Sequence, residues 1–486
     1  MAAPRIIIVG GGFSGATAAV QLARTIAGPL EIVVIEPAAS IGPGLPYDTA
    51  DPSYRLNAIS LAHSIDVADP WHFTRWFDAQ GLRKSDPGAG VASGEVFARR
   101  SDYGRYLSDT VAAHAAMPNG TRIGHVRGRA VDCVMDGTGA TVVLDDGSKL
   151  AGEQVILATG NPRFRHPAAM TGAVAGHPGI HLDPLHAGTS DVAPDARLLV
   201  VGAGLTALDI IASLLGRGHR GTITAISRHG LRPQPQPARI VSPLTDLPPP
   251  PVIPLDLLES DLPDYLAAED LSALSILRGV RKHAAETTAE GLGWQAAFDA
   301  MAFPLSRIWP RLPLAEKQRA LRHLRAQYDA HRFRTPPMTD ALVRAHEARG
   351  QVEFRKSRLA GLEPTAEGAL LATLQAPGGS RETVTFDAVL NCTGFDRASQ
   401  FDNPLLFALR RKGMLTPHST GFGIVTDADN RLVSEQGRAA PSLRAIGPLT
   451  AGMFGDPLGA FFISAQVHRL IPGLASDLGM ELAPVG

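Results

Sequence analysis

Two glycine-rich stretches carry the chemistry most directly. Gly10-x-Gly12-x-x-Gly15 follows the apolar run Ile6–Val9, and Gly202-x-Gly204-x-x-Ala207 follows Leu198–Val201. Between a strand and a helix, the first glycine permits a tight turn and the second lets a pyrophosphate approach the backbone. The third small residue lets helix pack closely on strand. The helix N-terminus then offers unpaired N–H groups and a partial positive charge to the phosphates. Each copy predicts a dinucleotide-binding unit, with Phe13 and Ser14, and Leu205 and Thr206, on the first helical turn beside the ligand. Glu36 ends the next apolar run, 21 residues beyond Gly15, where a carboxylate accepts hydrogen bonds from a ribose diol. Counting 25 or 26 residues from Gly202, as from Gly10 to Glu36, reaches Ser227-Arg228 and finds no acid. A hydroxyl and an arginine suit a ribose 2′-phosphate, which favours NADPH over NADH as reductant.

Further polar groups gather after Glu36. Ile41-Gly-Pro-Gly-Leu-Pro-Tyr47 is a loop able to pass close under a flat ring system, because glycines present no side chain. Asn57 and Ser60 offer amide and hydroxyl partners for polar ring edges. Asp69-Pro70 reads as the N-cap and first turn of a helix carrying His72, Phe73, Trp76 and Phe77, aromatics of core type. Residues 303–360 hold thirteen Lys and Arg against five acids, while 255–275 hold six acids and no Lys or Arg. A helical charge run is usually a solvated face, yet arginine suits bidentate binding of a small planar anion. Arg332 and Arg334, beside Pro336-Pro337, are the candidates for that role, and His63 for a proton shuttle. No other catalytic residue is assigned.

These residues need elements to hold them. The 486 residues, 44% hydrophobic and 19% charged, describe a folded globular chain of about three units. The net charge of −1 gives no basic field for nucleic acid or an anionic membrane. Cys133 and Cys392 are the only cysteines, which excludes a dithiol relay and a Cys-rich metal site, and no metal is expected. Neither a secretory signal nor a membrane-length apolar run is seen, so a cytoplasmic address is expected. A second echo, Val155–Gly160 and Val389–Gly394, ends each of two apolar strands in Thr-Gly, and Asp145-Asp-Gly-Ser148 signals a hairpin. The expected fold is α/β, with two dinucleotide-binding Rossmann-like domains, the second inserted in the first, plus a helical insert. The expected boundaries are 1–165 and 376–486 for the first domain, 195–230 and 338–375 for the second, and 231–337 for a Pro-rich linker and helices. Within that insert, helices are expected near Leu266–Thr287, Trp294–Ala302 and Leu314–Arg332.

Across essentially the whole length the chain resembles the FAD/NAD(P)-binding flavoprotein monooxygenases that include FAD-dependent urate hydroxylases and aspartate N-monooxygenases. The resemblance rests on Ile8–Gly15, Gly42–Tyr47, Leu56-Asn57, Asp69-Pro70 with His72–Trp76, Tyr103-Gly104 with Tyr106-Leu107, and Val201–Thr206. Ser227-Arg228, His331-Arg332 with Arg334, Asn391–Gly394 and Ile446–Thr450 extend it. It implies FAD on the first unit, held by Gly10, Gly12, Phe13, Ser14, Gly15, Glu36, Tyr47, Asn57, Gly160 and Gly447. It implies NADH or NADPH on the second, held by Gly202, Gly204, Leu205, Thr206 and Arg228. The sequence departs at Ala207, and at Pro448, where related reductases carry an aspartate for the ribityl chain. The implied reaction is hydroxylation of a small anionic nitrogenous substrate by molecular oxygen through a flavin hydroperoxide. Urate is preferred, an amino-acid N-monooxygenase is the alternative, and a reductase passing electrons to a quinone or protein, or a flavin-bound sensor, are further readings.

Overall fold

The computed structural model describes residues 3–91, 94–137, 139–237, 262–455 and 459–484. Short apolar runs rich in Ile and Val make its strands. Arg5–Val9 and Glu31–Ile35 each bury four of five residues, as a parallel sheet covered on both faces requires. The first sheet runs Arg431–Val433, Ala439–Ala445, Gln154–Leu157, Arg5–Val9, Glu31–Ile35, Arg122–Val126. All its pairings are parallel except the first. The second sheet runs Val352–Lys356, Ile223–Ser227, Leu198–Val201, Ala388–Asn391, Ile180–His181, parallel throughout. In each sheet the strand before the glycine-rich turn is central, the doubly wound arrangement that leaves a crevice at the strands' carboxyl ends.

Four helices matter for the site: α1 (Phe13–Thr25), α2 (Arg100–Ala113), α3 (Leu205–Gly216) and α4 (Ala460–Asp477). α1 and α4 pack together on the first sheet around a core that includes Ile6, Ile8, Leu22, Val467 and Leu474. Fully burying one such side chain contributes about 1.5–3 kcal/mol. The Asp145–Ser148 turn joins Ala140–Leu144 to Lys149–Gly152 in a small antiparallel sheet, and Gly147 supplies the positive φ of 85° the turn needs.

Three sequence expectations change. First, Ala388–Asn391 pairs with Leu198–Val201 in the second sheet, which moves the boundary drawn at 376 beyond Asn391. The two Thr-Gly strands are alike in composition, and only pairing distinguishes their sheets. Second, the helix expected from Asp69-Pro70 begins at His72, and the Asp69 carboxylate accepts from Arg75 at 3.1 Å instead of capping. Third, the run expected as one helix over Leu314–Arg332 divides into Leu314–His323 and Arg325–Arg332. The insert also contains helices Asp264–Ala267, Ala273–Ala289, Gln295–Ala302 and Leu305–Arg311, around their own core of Leu266, Val280, Met301, Ile308 and Trp309. The Pro248–Pro251 linker and the acids Asp256, Glu259 and Asp261 lie outside the described residues.

Candidate functional site

The two glycine turns are built alike. Gly10 has φ +104°, and a Cβ there would lie 2.4 Å from the carbonyl oxygen of Ala158. Gly202 has φ +117°, and its Cβ would lie 2.1 Å from the carbonyl oxygen of Cys392. The Gly10 N–H donates to Ile35 (2.9 Å) and that of Gly202 to Ile226 (2.8 Å), tying each turn to the neighbouring strand. The Thr-Gly echo thus closes the back of each turn with backbone, which only glycine tolerates. At the third position, a Cβ on Gly15 would collide with Gly10 oxygen at 1.9 Å, whereas Ala207 packs fully buried in the second core.

The second glycines serve the ligand side. Gly12 and Gly204 are the N-caps of α1 and α3, and neither helix has a side-chain cap, so their first N–H groups are left for an external acceptor. A Cβ on Gly204 would meet nothing within 4 Å, an open cradle of the kind a pyrophosphate fills. Phe13 and Ser14 are buried on the first turn of α1, and Leu205 and Thr206 half-buried on that of α3. Glu36 accepts from the N–H of Gly11 (2.7 Å) and Ala38 (3.0 Å), which fixes its carboxylate at the mouth of the first turn.

The Gly42–Tyr47 loop lies directly on this turn. Gly42 N–H donates to Gly11 oxygen at 2.7 Å, and a Cβ on Gly44 would sit 2.8 Å from Gly12 Cα. Tyr47 stands edge-on to Tyr103 of α2, ring centroids 4.7 Å apart, and burial raises its hydroxyl pKa. From the far end of the chain, Gly447 (φ +69°) comes so close to α1 that a Cβ would touch Ser14 Oγ at 2.5 Å. Its N–H donates to Gln466 of α4 at 2.9 Å, and the Gln466 amide donates to Asn430 and Thr450. Glycine backbones from three segments therefore converge on the start of α1, and Pro448 opens a one-turn helix there. Gly160 has φ +72° with open space at its Cβ position. Asn57 accepts from Gln236 through its backbone oxygen at 2.9 Å. The Ser60 hydroxyl shares a hydrogen bond with that of Thr74 at 2.7 Å.

At the second unit, Arg228 is exposed at the end of Ile223–Ser227 and makes no ion pair among the described residues. Ser227 donates to Leu231 oxygen at 3.2 Å, and Lys356 lies beside Ser227 on the adjoining strand.

The three candidate catalytic residues separate. His63 is buried, and its ring Nδ1 bonds the Ile59 carbonyl at 3.0 Å. Burial pushes its pKa down to about 4, so the ring is neutral near neutral pH. That makes it a poor proton shuttle and corrects the expectation. Arg334 is also buried, with both oxygens of Asp299 at 2.7 and 2.8 Å from one guanidinium nitrogen. It ties Gln295–Ala302 to the end of the insert and has no charge left for a substrate anion, a second correction. Arg332 is half-buried, without an ion pair among the described residues, and its guanidinium carbon lies 5.7 Å from the Phe462 ring on α4. Phe462, one turn before Gln466, also lines a cavity of about 90 Å³ with Ser306, Asn430 and Arg469.

Sequence reasoning missed the link between the units. Arg100 of α2 donates to Asp209 of α3 at 2.6 Å, Ser213 donates to Asp51, and Tyr54 is buried in the second unit's core. No local signal marks a pair 109 residues apart.

Comparisons with known proteins agree with this geometry. Residues 7–162 match the family model described as FAD-NAD(P)-binding. Uncharacterized proteins of Mycobacterium tuberculosis and Mycobacterium bovis are 23% identical over 308 residues, 60% of this chain and 52% of theirs. The match therefore spans about half the length of these relatives. Among solved structures, L-lysine 6-monooxygenase of Pseudomonas syringae is similar with TM-score 0.62 and 17% identity, covering 98% of this chain and 100% of that one. Ornithine hydroxylase of Pseudomonas aeruginosa gives 0.61 and 16% over 98% and 100%. FAD-bound cadaverine monooxygenase of Erwinia amylovora gives 0.65 and 15% over 100% and 97%. The chain shares the fold of these monooxygenases along nearly its whole length, and its residues 7–162 are similar to the FAD-NAD(P)-binding family.

Proposed function

We propose that the protein is an FAD- and NADPH-dependent monooxygenase that hydroxylates the nitrogen of a small amine or amino acid. The observation that carries this reading is the duplicated nucleotide cradle, set in a fold shared along nearly the whole chain with lysine, ornithine and cadaverine monooxygenases. Those likenesses favour the amino-acid alternative over urate, the substrate preferred from the sequence.

In this reading Gly10, Gly12, the α1 N-terminus and the Gly447 backbone hold the FAD pyrophosphate, and Glu36 takes the ribose diol. Gly202, Gly204 and the α3 N-terminus hold the NADPH pyrophosphate, with Arg228 and Lys356 on its 2′-phosphate. FAD, when bound, would supply the redox chemistry by which two electrons from NADPH and one oxygen atom of O2 reach the amine, the other oxygen leaving as water. Arg332 is the counter-charge for a substrate carboxylate, with Phe462 limiting its hydration. Cys133 and Cys392 are both buried, and burial pushes the Cys133 thiol up to about 11, so neither offers electrons a thiol exit.

The test is NADPH oxidation in air by the FAD-loaded protein against ornithine, lysine, cadaverine, aspartate, urate and a quinone, with the hydroxylamine product assayed. Hydroxylamine formation with one amine supports the proposal. Oxidation that consumes urate, or that reduces the quinone without oxygen, assigns another function.

A further inference from the structure

We propose that the helical insert holds a second ligand site, which takes a small amphipathic carboxylate, its aliphatic chain in an apolar cavity and its carboxylate beside Arg397 and Lys317. The site goes beyond the flavin reading and does not depend on it.

The cavity measures about 150 Å³ and opens to solvent on one side. Its wall includes Ile276, Val280, Phe298, Met301, Ile308 and Trp309, drawn from three helices of the insert. An apolar hollow of this size accepts a molecule of about benzene size, because its lining lacks partner atoms until something apolar fills it. A branched or straight chain of about six to eight carbons offers matching bulk.

The cavity's surroundings select the head group. Arg325 stands on the wall and is paired with Asp329 at 2.7 Å. Its guanidinium carbon lies 5.6 Å from the Phe422 ring, and that of Arg397 lies 3.5 Å from the same ring. Arg397 has no carboxylate partner among the described residues. Lys317 has none either; its Nζ lies 6.0 Å from the Trp309 ring and reaches only the Pro310 carbonyl, at 3.5 Å. Both cations are held below their ordinary pKa by burial, Arg397 to about 10, with Arg325 adding to the effect and the Asp329 carboxylate opposing it. Arg397 stands behind Arg325, and Lys317 behind Trp309, two residues of the wall. With Asp329 the carboxylate acting on Arg325 and Arg397, an excess of positive charge beside an apolar hollow attracts an anion with an apolar tail, repels an alkylammonium, and gives a neutral alcohol no ionic contact. The site has its own wall against the first unit. Trp309 Nε1 donates to Gly452 oxygen at 2.8 Å, and a Cβ on Gly455 would lie 3.1 Å from Leu305 and Trp309.

Calorimetric titration of the full-length FAD-loaded protein with octanoate tests this, with octylammonium and octanol as comparators. Octanoate is expected to bind once per chain, and octylammonium at least about tenfold more weakly. Ala320→Phe places a ring in the cavity and should abolish octanoate binding. Arg397→Glu, a change outside the insert and its core, should weaken it about tenfold while flavin content and thermal unfolding stay as in the parent. Absence of octanoate binding at about 10 mM overturns the proposal, as does equal binding of octylammonium or indifference to Arg397→Glu. Because binding is read without turnover, octanoate can bind a protein that hydroxylates no amine, so this proposal and the monooxygenase reading fail separately.

Discussion

The Arg100 guanidinium on α2 meets the Asp209 carboxylate on α3 at 2.6 Å and joins the two nucleotide units. Burial is the largest influence on Asp209 and lifts its pKa from 3.8 to about 6; Arg100 pulls the other way, and Asp51 adds to the rise. A carboxyl whose folded pKa is raised contributes stability that is full below its unfolded value and lost as pH rises through the folded one. Stability should therefore decline from about pH 4 to pH 6 through this group, by at most about 3 kcal/mol. Asp209→Asn should flatten that decline in denaturant unfolding measured across the same range.

Gly10 and Gly204 should respond oppositely to alanine. At Gly10 the new Cβ meets the Ala158 oxygen at 2.4 Å in a φ of +104°, so Gly10→Ala should cost at least about 2 kcal/mol and lower flavin content. At Gly204 the φ is −82° and the space is open, so Gly204→Ala should unfold near the parental temperature. Its methyl group occupies the cradle instead, and the KM for NADPH should rise about tenfold or more. Thermal unfolding together with NADPH kinetics separates the two effects.

Arg228→Ala removes a cation that serves no described partner in the fold. KM for NADPH should rise about 10- to 100-fold while KM for NADH changes little. Equal effects on the two nucleotides would remove Arg228 from the 2′-phosphate site.

Arg332 and Arg334 stand two residues apart and should behave differently. Arg334→Ala strands the Asp299 carboxylate in the insert and should destabilise it by about 3 kcal/mol, with substrate KM unchanged in the protein that remains folded. Arg332→Ala breaks no described ion pair, and should raise the KM for an amino-acid substrate about tenfold with little change in unfolding temperature. Denaturation curves and steady-state kinetics on both variants check the contrast.

These contrasts mark what could be read from the chain. The glycine turns were legible because their consequences are local: a positive φ, a close carbonyl and an uncapped helix all lie within a few residues of each motif. The identity of the strand Ala388–Asn391 was not, since its composition fits either sheet and its partner, Leu198–Val201, lies nearly two hundred residues away. Arg334 has the same residue type and neighbourhood as Arg332, and only the approach of Asp299 from another helix shows that its charge is already spent. His63 follows the same rule, because burial and the Ile59 carbonyl decide its protonation and neither is visible in its immediate sequence.

The central claim is N-hydroxylation of an amine, and the stoichiometry of a single reaction tests it most directly. With FAD bound and the preferred amine present, NADPH consumed, O2 consumed and hydroxylamine formed should stand at about one to one to one. NADPH and O2 consumed with no hydroxylamine from any amine of the panel would contradict the account.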